Sequence, residues 1–139
     1  MPGISGIIET ALYVGNLEVS GSFYESVFGF KPLMAEDRMR AYSVSDRQVL
    51  LLFRRGGSTH PSPMHGGLIP PHDGHGTQHL AFAISPESLA PWREHLLSHG
   101  IAIESELNCG DGSPGGSLYF RDPDDHSLEL ITPGCWPIY

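Results

Sequence analysis

Short runs in which apolar and polar positions alternate recur along the chain, and each predicts a strand. Residues 7–14 are rich in Ile, Leu, Tyr and Val and read as the first strand. Asn16 follows as the N-cap of a helix over residues 17–28, stopped by Gly29. Phe23 and Val27, four apart, are expected to face the core from that helix. Residues 40–44 and 48–54 then read as two strands joined by a polar turn. In the second half, residues 78–84 predict a strand, with Ser85 as N-cap and Pro86 at the first helical position. That helix is expected to carry Leu89, Trp92 and Leu96 as its apolar stripe, to run to about His99 and to stop at Gly100. Residues 101–106, 117–121 and 127–132 supply further strands, the last two linked by the tight turn Asp122-Pro123-Asp124-Asp125.

The two halves therefore share one plan: a strand, a helix, then about three strands, repeated after about 60 residues. Neither half alone buries both its helix and its sheet. The expected class is α+β, a single domain over residues 1–139 built of two βαβββ modules. These form a cup-shaped mixed sheet with the helices outside. Module one covers about residues 5–55 and module two about 77–135. Between them, residues 56–76 are rich in Gly, Pro and His and read as a linker and lid loop.

Composition narrows the partners. The chain has 139 residues, enough for one domain with a core, and its 17 glycines and 12 prolines imply many turns. The net charge of −8, with Lys31 as the single lysine, leaves no basic stripe for nucleic acid or anionic lipid. Apolar runs such as residues 49–53 are far too short to span a bilayer. The first residues lack the basic and apolar regions of a signal peptide, so a cytoplasmic location is expected. Cys109 and Cys135 are too few for a disulfide framework and are expected as free thiols.

Strand alternation then singles out polar residues. Ile7, Glu9, Ala11 and Tyr13 share one face of the first strand. A carboxylate within an apolar strand is costly unless it is solvated, paired or bound to a cation. His79 holds the equivalent place in the second half, and Glu129 sits between Leu128 and Leu130 on the last strand. The first-half equivalent of Glu129 is Leu51. By the repeat, Glu9, His79 and Glu129 converge as a plausible facial set for a divalent metal with open positions for substrate. The same residues also fit an exposed strand carboxylate, a satisfied core histidine and an edge carboxylate.

Glu9-Thr10-Ala11-Leu12-Tyr13-Val14, Phe28-Gly29-Phe30, Gln78-His79-Leu80-Ala81-Phe82 and the closing Asp122-Pro123-Asp124…Leu128-Glu129-Leu130 together resemble the vicinal oxygen chelate superfamily. That group includes glyoxalase I, extradiol dioxygenases, fosfomycin resistance proteins, methylmalonyl-CoA epimerase and bleomycin resistance proteins. The resemblance implies paired modules around a metal, with ligand positions at Glu9, Leu51, His79 and Glu129. Two departures stand out: Glu9 replaces the histidine usual on the first strand, and Leu51 cannot coordinate. The ligand set left is Glu9, His79 and Glu129.

Two carboxylates and an imidazole without thiolate make a hard site, suited to Fe, Mn, Ni, Co or Mg, with Zn also admissible. Tyr119 is a candidate hydrogen-bond donor to a substrate oxygen. Of the linker histidines His60, His65, His72 and His75, His72 is the candidate acid or base closing over the cup, with His75 beside it. Arg54 and Arg55 are candidates for a substrate anion, against the commoner fate of solvated strand-end charges. His95, His99 and His126 read as ordinary helix and turn histidines. The expected function is a metal-dependent lyase, isomerase or dioxygenase acting on a small oxygen-rich molecule. The alternative is a bleomycin-resistance-type binding protein without catalysis. A homodimer is expected, as is common in small proteins of this superfamily.

Overall fold

The computed structural model describes residues 1–110 and 112–139. They fall into two compact units, residues 1–76 and 77–139.

The first unit is a βαβββ module. Strand β1 (Glu9–Val14) leads to helix α1 (Leu17–Phe28), then β2 (Lys31–Ala35), β3 (Met39–Ser43) and β4 (Val49–Arg54). The sheet order is β1-β4-β3-β2, with β1 parallel to β4 and the other pairs antiparallel. Helix α1 starts where expected: the Asn16 side chain accepts from the amides of Glu18 and Val19 at 2.9 and 3.1 Å. It ends at Gly29, whose φ of 68° is the left-handed turn that glycine makes without steric cost. Leu12, Val14, Leu50, Leu52 and Tyr42 form the sheet's buried face, and Leu17, Tyr24 and Val27 are buried on α1. Tyr24, at 0% exposed, rather than the half-buried Phe23, is the helix's central aromatic.

Strand β2 has no counterpart among the expected elements. All five of its residues are exposed, so no face is buried to print an alternation. It is an edge strand, where Pro32 costs no ladder bond, and it carries an irregularity between Pro32 and Met34. Residues 56–76 also hold structure of their own, the hairpin β5 (Ser62–Met64) and β6 (Gly67–Ile69). Its two-residue turn is His65-Gly66, both at positive φ, the twist that matches paired strands.

The second unit repeats the module. Strand β7 (His79–Ala83) precedes a 3₁₀ turn (Pro86–Ser88), helix α2 (Leu89–Ser98), β8 (Ser105–Asn108), β9 (Gly116–Arg121) and β10 (Ser127–Ile131). Its order, β7-β10-β9-β8, with β7 parallel to β10, copies the first sheet. Leu118, Phe120, Leu128 and Leu130 are buried, as is Leu96 on α2. Ser85 does not cap through its side chain; its hydroxyl lies 2.8 Å from that of Ser88 and the chain enters by the 3₁₀ turn. The expected strand at 101–106 starts later, because the Ile101 amide still closes α2 on the Leu96 carbonyl at 3.0 Å.

The Asp122–Asp125 turn forms as expected, with the Asp125 amide bonded to the Asp122 carbonyl at 3.0 Å. The buried Asp122 carboxylate also accepts from the amides of Asp124 and His126, both at 2.9 Å. His126 is more than a turn residue. It is fully buried, and its Nδ1 accepts from the Gln78 amide at 2.9 Å, tying the start of β10 to the start of β7. The cysteines also depart from expectation: Cys109 and Cys135 form a disulfide across 26 residues, which anchors the C-terminal segment beside β9. A loop of that length is worth about 3.5 kcal/mol in chain-entropy terms. Among the described residues no helix is long and apolar enough to cross a membrane.

One buried contact of the first module titrates. Tyr42 donates to Glu25 Oε1 on α1 at 2.9 Å. Burial, then that bond and the Glu25 charge, push the Tyr42 hydroxyl up to about 12. Below the ordinary value of 10.0 both folded and unfolded chains hold this proton; above it only the folded chain does. Stability is therefore expected to fall as pH rises from 10 towards 12, by up to about 1.4 kcal/mol per pH unit from this group. Urea midpoints across that range should fall more steeply for the native chain than for Tyr42→Phe.

Candidate metal centre and module-one cavity

In module two the parallel pairing sets Ser127 opposite His79 and Glu129 opposite Ala81, while β9 sets Tyr119 opposite Glu129. His79, Glu129, Tyr119 and Ser117 therefore share one face of the sheet. The His79 ring lies near that of Tyr119, with centroids 6.1 Å apart and nearly parallel planes. His79 Nδ1 lies 2.9 Å from the Ser127 carbonyl oxygen. A carbonyl can only accept, so Nδ1 carries the hydrogen and Nε2 is the nitrogen left facing outward. Nε2 stands 3.4 Å from Glu129 Oε2. Glu129 is 6% exposed, so its carboxylate has little water to solvate it. The Tyr119 hydroxyl is raised by burial and by its hydrogen bond to Glu129, and so keeps the proton it donates to that carboxylate.

An imidazole nitrogen with its tautomer fixed by a backbone carbonyl, beside a buried carboxylate steadied by a phenol, is a donor pair ready for a divalent cation. Glu9 lies in module one, exposed at the start of β1, opposite Val49. Among the described residues no three His, Cys, Asp or Glu side chains gather as a set that could hold a metal ion. The structure thus brings together two of the three residues that the repeat selects, His79 and Glu129.

Module one carries a cavity of about 510 Å³ on the sheet face opposite α1. The register explains its shape. Ala11, Leu51 and Ala41 lie side by side across β1, β4 and β3, and two alanines leave a depression. Tyr13, Phe53 and Met39 form the next row on the same face and stand above it. Leu51 thus shares the face of Glu9, the placement expected from strand alternation. Arg54 falls on the alternate face, in register with Val14.

The segment 56–74 borders this cavity. The His72 amide bonds to the Ser58 carbonyl at 2.9 Å, and the Ser58 hydroxyl accepts from Arg38 at 2.8 Å. Asp73 accepts from the Gly56 amide at 3.1 Å; this bond and one from the Gly74 amide hold its carboxyl below the usual range. These bonds place His72 Nδ1 2.7 Å from the Tyr13 hydroxyl and set its ring 4.4 Å from that of Phe53, edge to face. Tyr13 was visible in the sequence only as a member of the Glu9 face. Arg38 and Ser58 gave no signal, since neither sits in a periodic segment. His75 is exposed, 3.8 Å from Asp73.

Comparison with known proteins adds four findings. Residues 6–130 match the family described as the Glyoxalase/Bleomycin resistance protein/Dioxygenase superfamily. Among curated proteins, the metallothiol transferase FosB of Bacillus licheniformis is 30% identical over 129 residues, covering 93% of this chain and 76% of that protein. The catechol-2,3-dioxygenase of Bacillus subtilis is 30% identical over 122 residues, 87% of this chain but 39% of that protein. Among solved structures, a lactoylglutathione lyase from Agrobacterium tumefaciens superposes with a TM-score of 0.84 at 27% identity, covering 98% of this chain and 99% of that one.

Gly74 gives the cavity wall a direct test. A Cβ there would lie 2.4 Å from a Tyr13 ring carbon, so only glycine lets the segment rest on that ring. Gly74→Ala is expected to lift residues 72–74 from Tyr13 and to cost about 1–3 kcal/mol of stability. In NMR spectra the His72 and Tyr13 ring signals should shift together.

Proposed function

The chain belongs to the glyoxalase/bleomycin resistance protein/dioxygenase superfamily, and on that premise we propose that it is a metal-dependent enzyme acting on a small molecule with adjacent oxygen donors. The observation that carries this reading is the His79–Glu129 pair, with Nε2 directed at a buried carboxylate 3.4 Å away. A binding protein that works without a metal has no use for that arrangement. In the proposed centre Glu9, His79 and Glu129 hold one divalent ion, chosen from Fe, Mn, Ni, Co, Mg and Zn. A homodimer is part of the proposal, with modules matched within or across chains. Lyase, isomerase and dioxygenase chemistry all suit a centre of three protein ligands with open positions. The lyase and dioxygenase among the similar proteins support that range.

The bound ion would supply Lewis acidity, drawing negative charge onto substrate oxygens. The protein's own residues do the rest. The Ser127 carbonyl fixes the His79 ring so that Nε2 needs no reorganisation to bind. Tyr119 holds the Glu129 carboxylate in place with its one O–H, and is the proposed donor to a substrate oxygen once that hydrogen turns from Glu129 to the substrate. His72, hydrogen-bonded to Tyr13, is the proposed acid or base.

Elemental analysis of protein purified without chelators is expected to find one divalent ion per chain and far less in His79→Ala. Equal metal content in both would remove the assignment. Tyr119→Phe keeps the ligands and loses their hydrogen bond; its metal affinity, measured by chelator competition, should fall by about 10- to 100-fold. Sedimentation of the native chain should give a dimer rather than a 15.1 kDa species.

A further inference from the structure

We propose that the module-one cavity binds an aromatic alcohol or phenol, its ring on the Ala11–Leu51–Ala41 floor and its hydroxyl on the Tyr13–His72 pair. As the enzyme's substrate site, this inference rests on the reading above; as a binding site, it stands on the cavity itself.

Three observations converge. Size comes first: about 510 Å³ lies in the range of small-molecule sites, and the space arises from two alanines in one register row. The second is chemistry. Met34, Met39 and Met64 line the cavity with Phe53, and thioethers on flexible stems adapt to flat rings and contact them favourably. Tyr13 and Phe53 stack with centroids 5.9 Å apart, so the wall already has the aromatic geometry that a further ring would extend.

The third is charge. Glu9 and Glu36 line the cavity, and Arg38, the one fixed positive charge among its described lining residues, already donates to Ser58. Asp73 adds a further negative charge close enough to raise the Tyr13 hydroxyl, which burial raises more. A phosphonate or carboxylate would enter against these carboxylates, whereas a neutral hydroxyl would not. The polar end of the cavity suits such a group. Tyr13 and His72 in their neutral forms carry two polar hydrogens between them, one of which bridges the pair. The pair therefore offers both donor and acceptor capacity to a hydroxyl.

The methionines supply the readout. The chain has four, Met34, Met39 and Met64 at the cavity and Met1 at the fully exposed N-terminus. With ¹³C-methyl methionine, titration of the chelator-treated protein with 2-naphthol is expected to shift the three cavity methyls and leave Met1 unmoved. Methylphosphonate, the small anionic probe, should move none of them. Tyr13→Phe keeps the ring and should weaken naphthol binding about three- to tenfold, the worth of one hydrogen bond. Ala11→Leu fills the floor and should abolish binding, with a thermal melt to establish that the variant folds.

Naphthol that moves Met1 alone or no methyl, or methylphosphonate that moves the three cavity methyls, would overturn the proposal. So would naphthol affinity unchanged in both variants. Because no metal is present in the titration, failure to find metal in the purified protein removes the metal-centre reading and leaves this result standing. Loss of naphthol binding alongside normal metal content does the reverse.

Discussion

Each module depends on one pairing, the parallel contact between its first and last strands. It closes the sheet over the intervening helix and two strands and joins residues far apart in sequence: Glu9 meets Val49, and His79 meets Ser127. Closing loops of that length carries an entropic cost that only burial on the helix side offsets. Leu12, Leu50 and Leu52 serve this in module one, and Leu128 and Leu130 in module two. With one face committed to the core, register cannot slip by a residue without burying every polar side chain of the other face. The candidate site is thus fixed by the core behind it. His126 and Asp122 lock the same closure in module two through the Gln78 amide and the turn backbone.

What the sequence made legible follows this division. Elements with one buried face or a defined cap were readable: helix α1 between Asn16 and Gly29, strands β1 and β4, and the Asp122–Asp125 turn. Strand β2 and the β5–β6 hairpin were not, because no buried face imposes a period on their side chains. The disulfide was hidden for another reason. Two cysteines do not reveal their distance, and only the return of the chain past β9 brings Cys135 to Cys109. At the site, parity along the strands placed Leu51 on the Glu9 face, whereas the pairing of Glu129 with Tyr119 depends on cross-strand register, which parity does not give. The Tyr13–His72 contact was beyond reach, since it depends on Gly74 lying flat on a ring 61 positions away in sequence.

The two modules share topology and differ in the chemistry of the face left open. Module two presents Ser117, Tyr119, His79 and Glu129, polar groups on one face of three strands. Module one presents Ala11, Leu51, Ala41, Tyr13 and Phe53, with carboxylates at the margin. Leu51 is the pivot of this difference. It occupies the strand position corresponding to Glu129, yet an aliphatic side chain there turns the row into a floor for apolar contact. A repeat can divide labour in this way because neither open face is needed to hold its own module together.

The state of Glu129 shows why its surroundings matter more than its identity. A carboxylate at 6% exposure has lost most of its water, and Tyr119 restores one hydrogen bond to it. The remaining oxygen capacity faces His79 Nε2, whose own hydrogen sits on the other nitrogen, held by Ser127. Two acceptors 3.4 Å apart repel unless a positive charge lies with them. A divalent cation would supply that charge with the Nδ1 bond to Ser127 left in place. The sheet thus holds the two side chains where a cation would relieve a repulsion that the fold has already imposed.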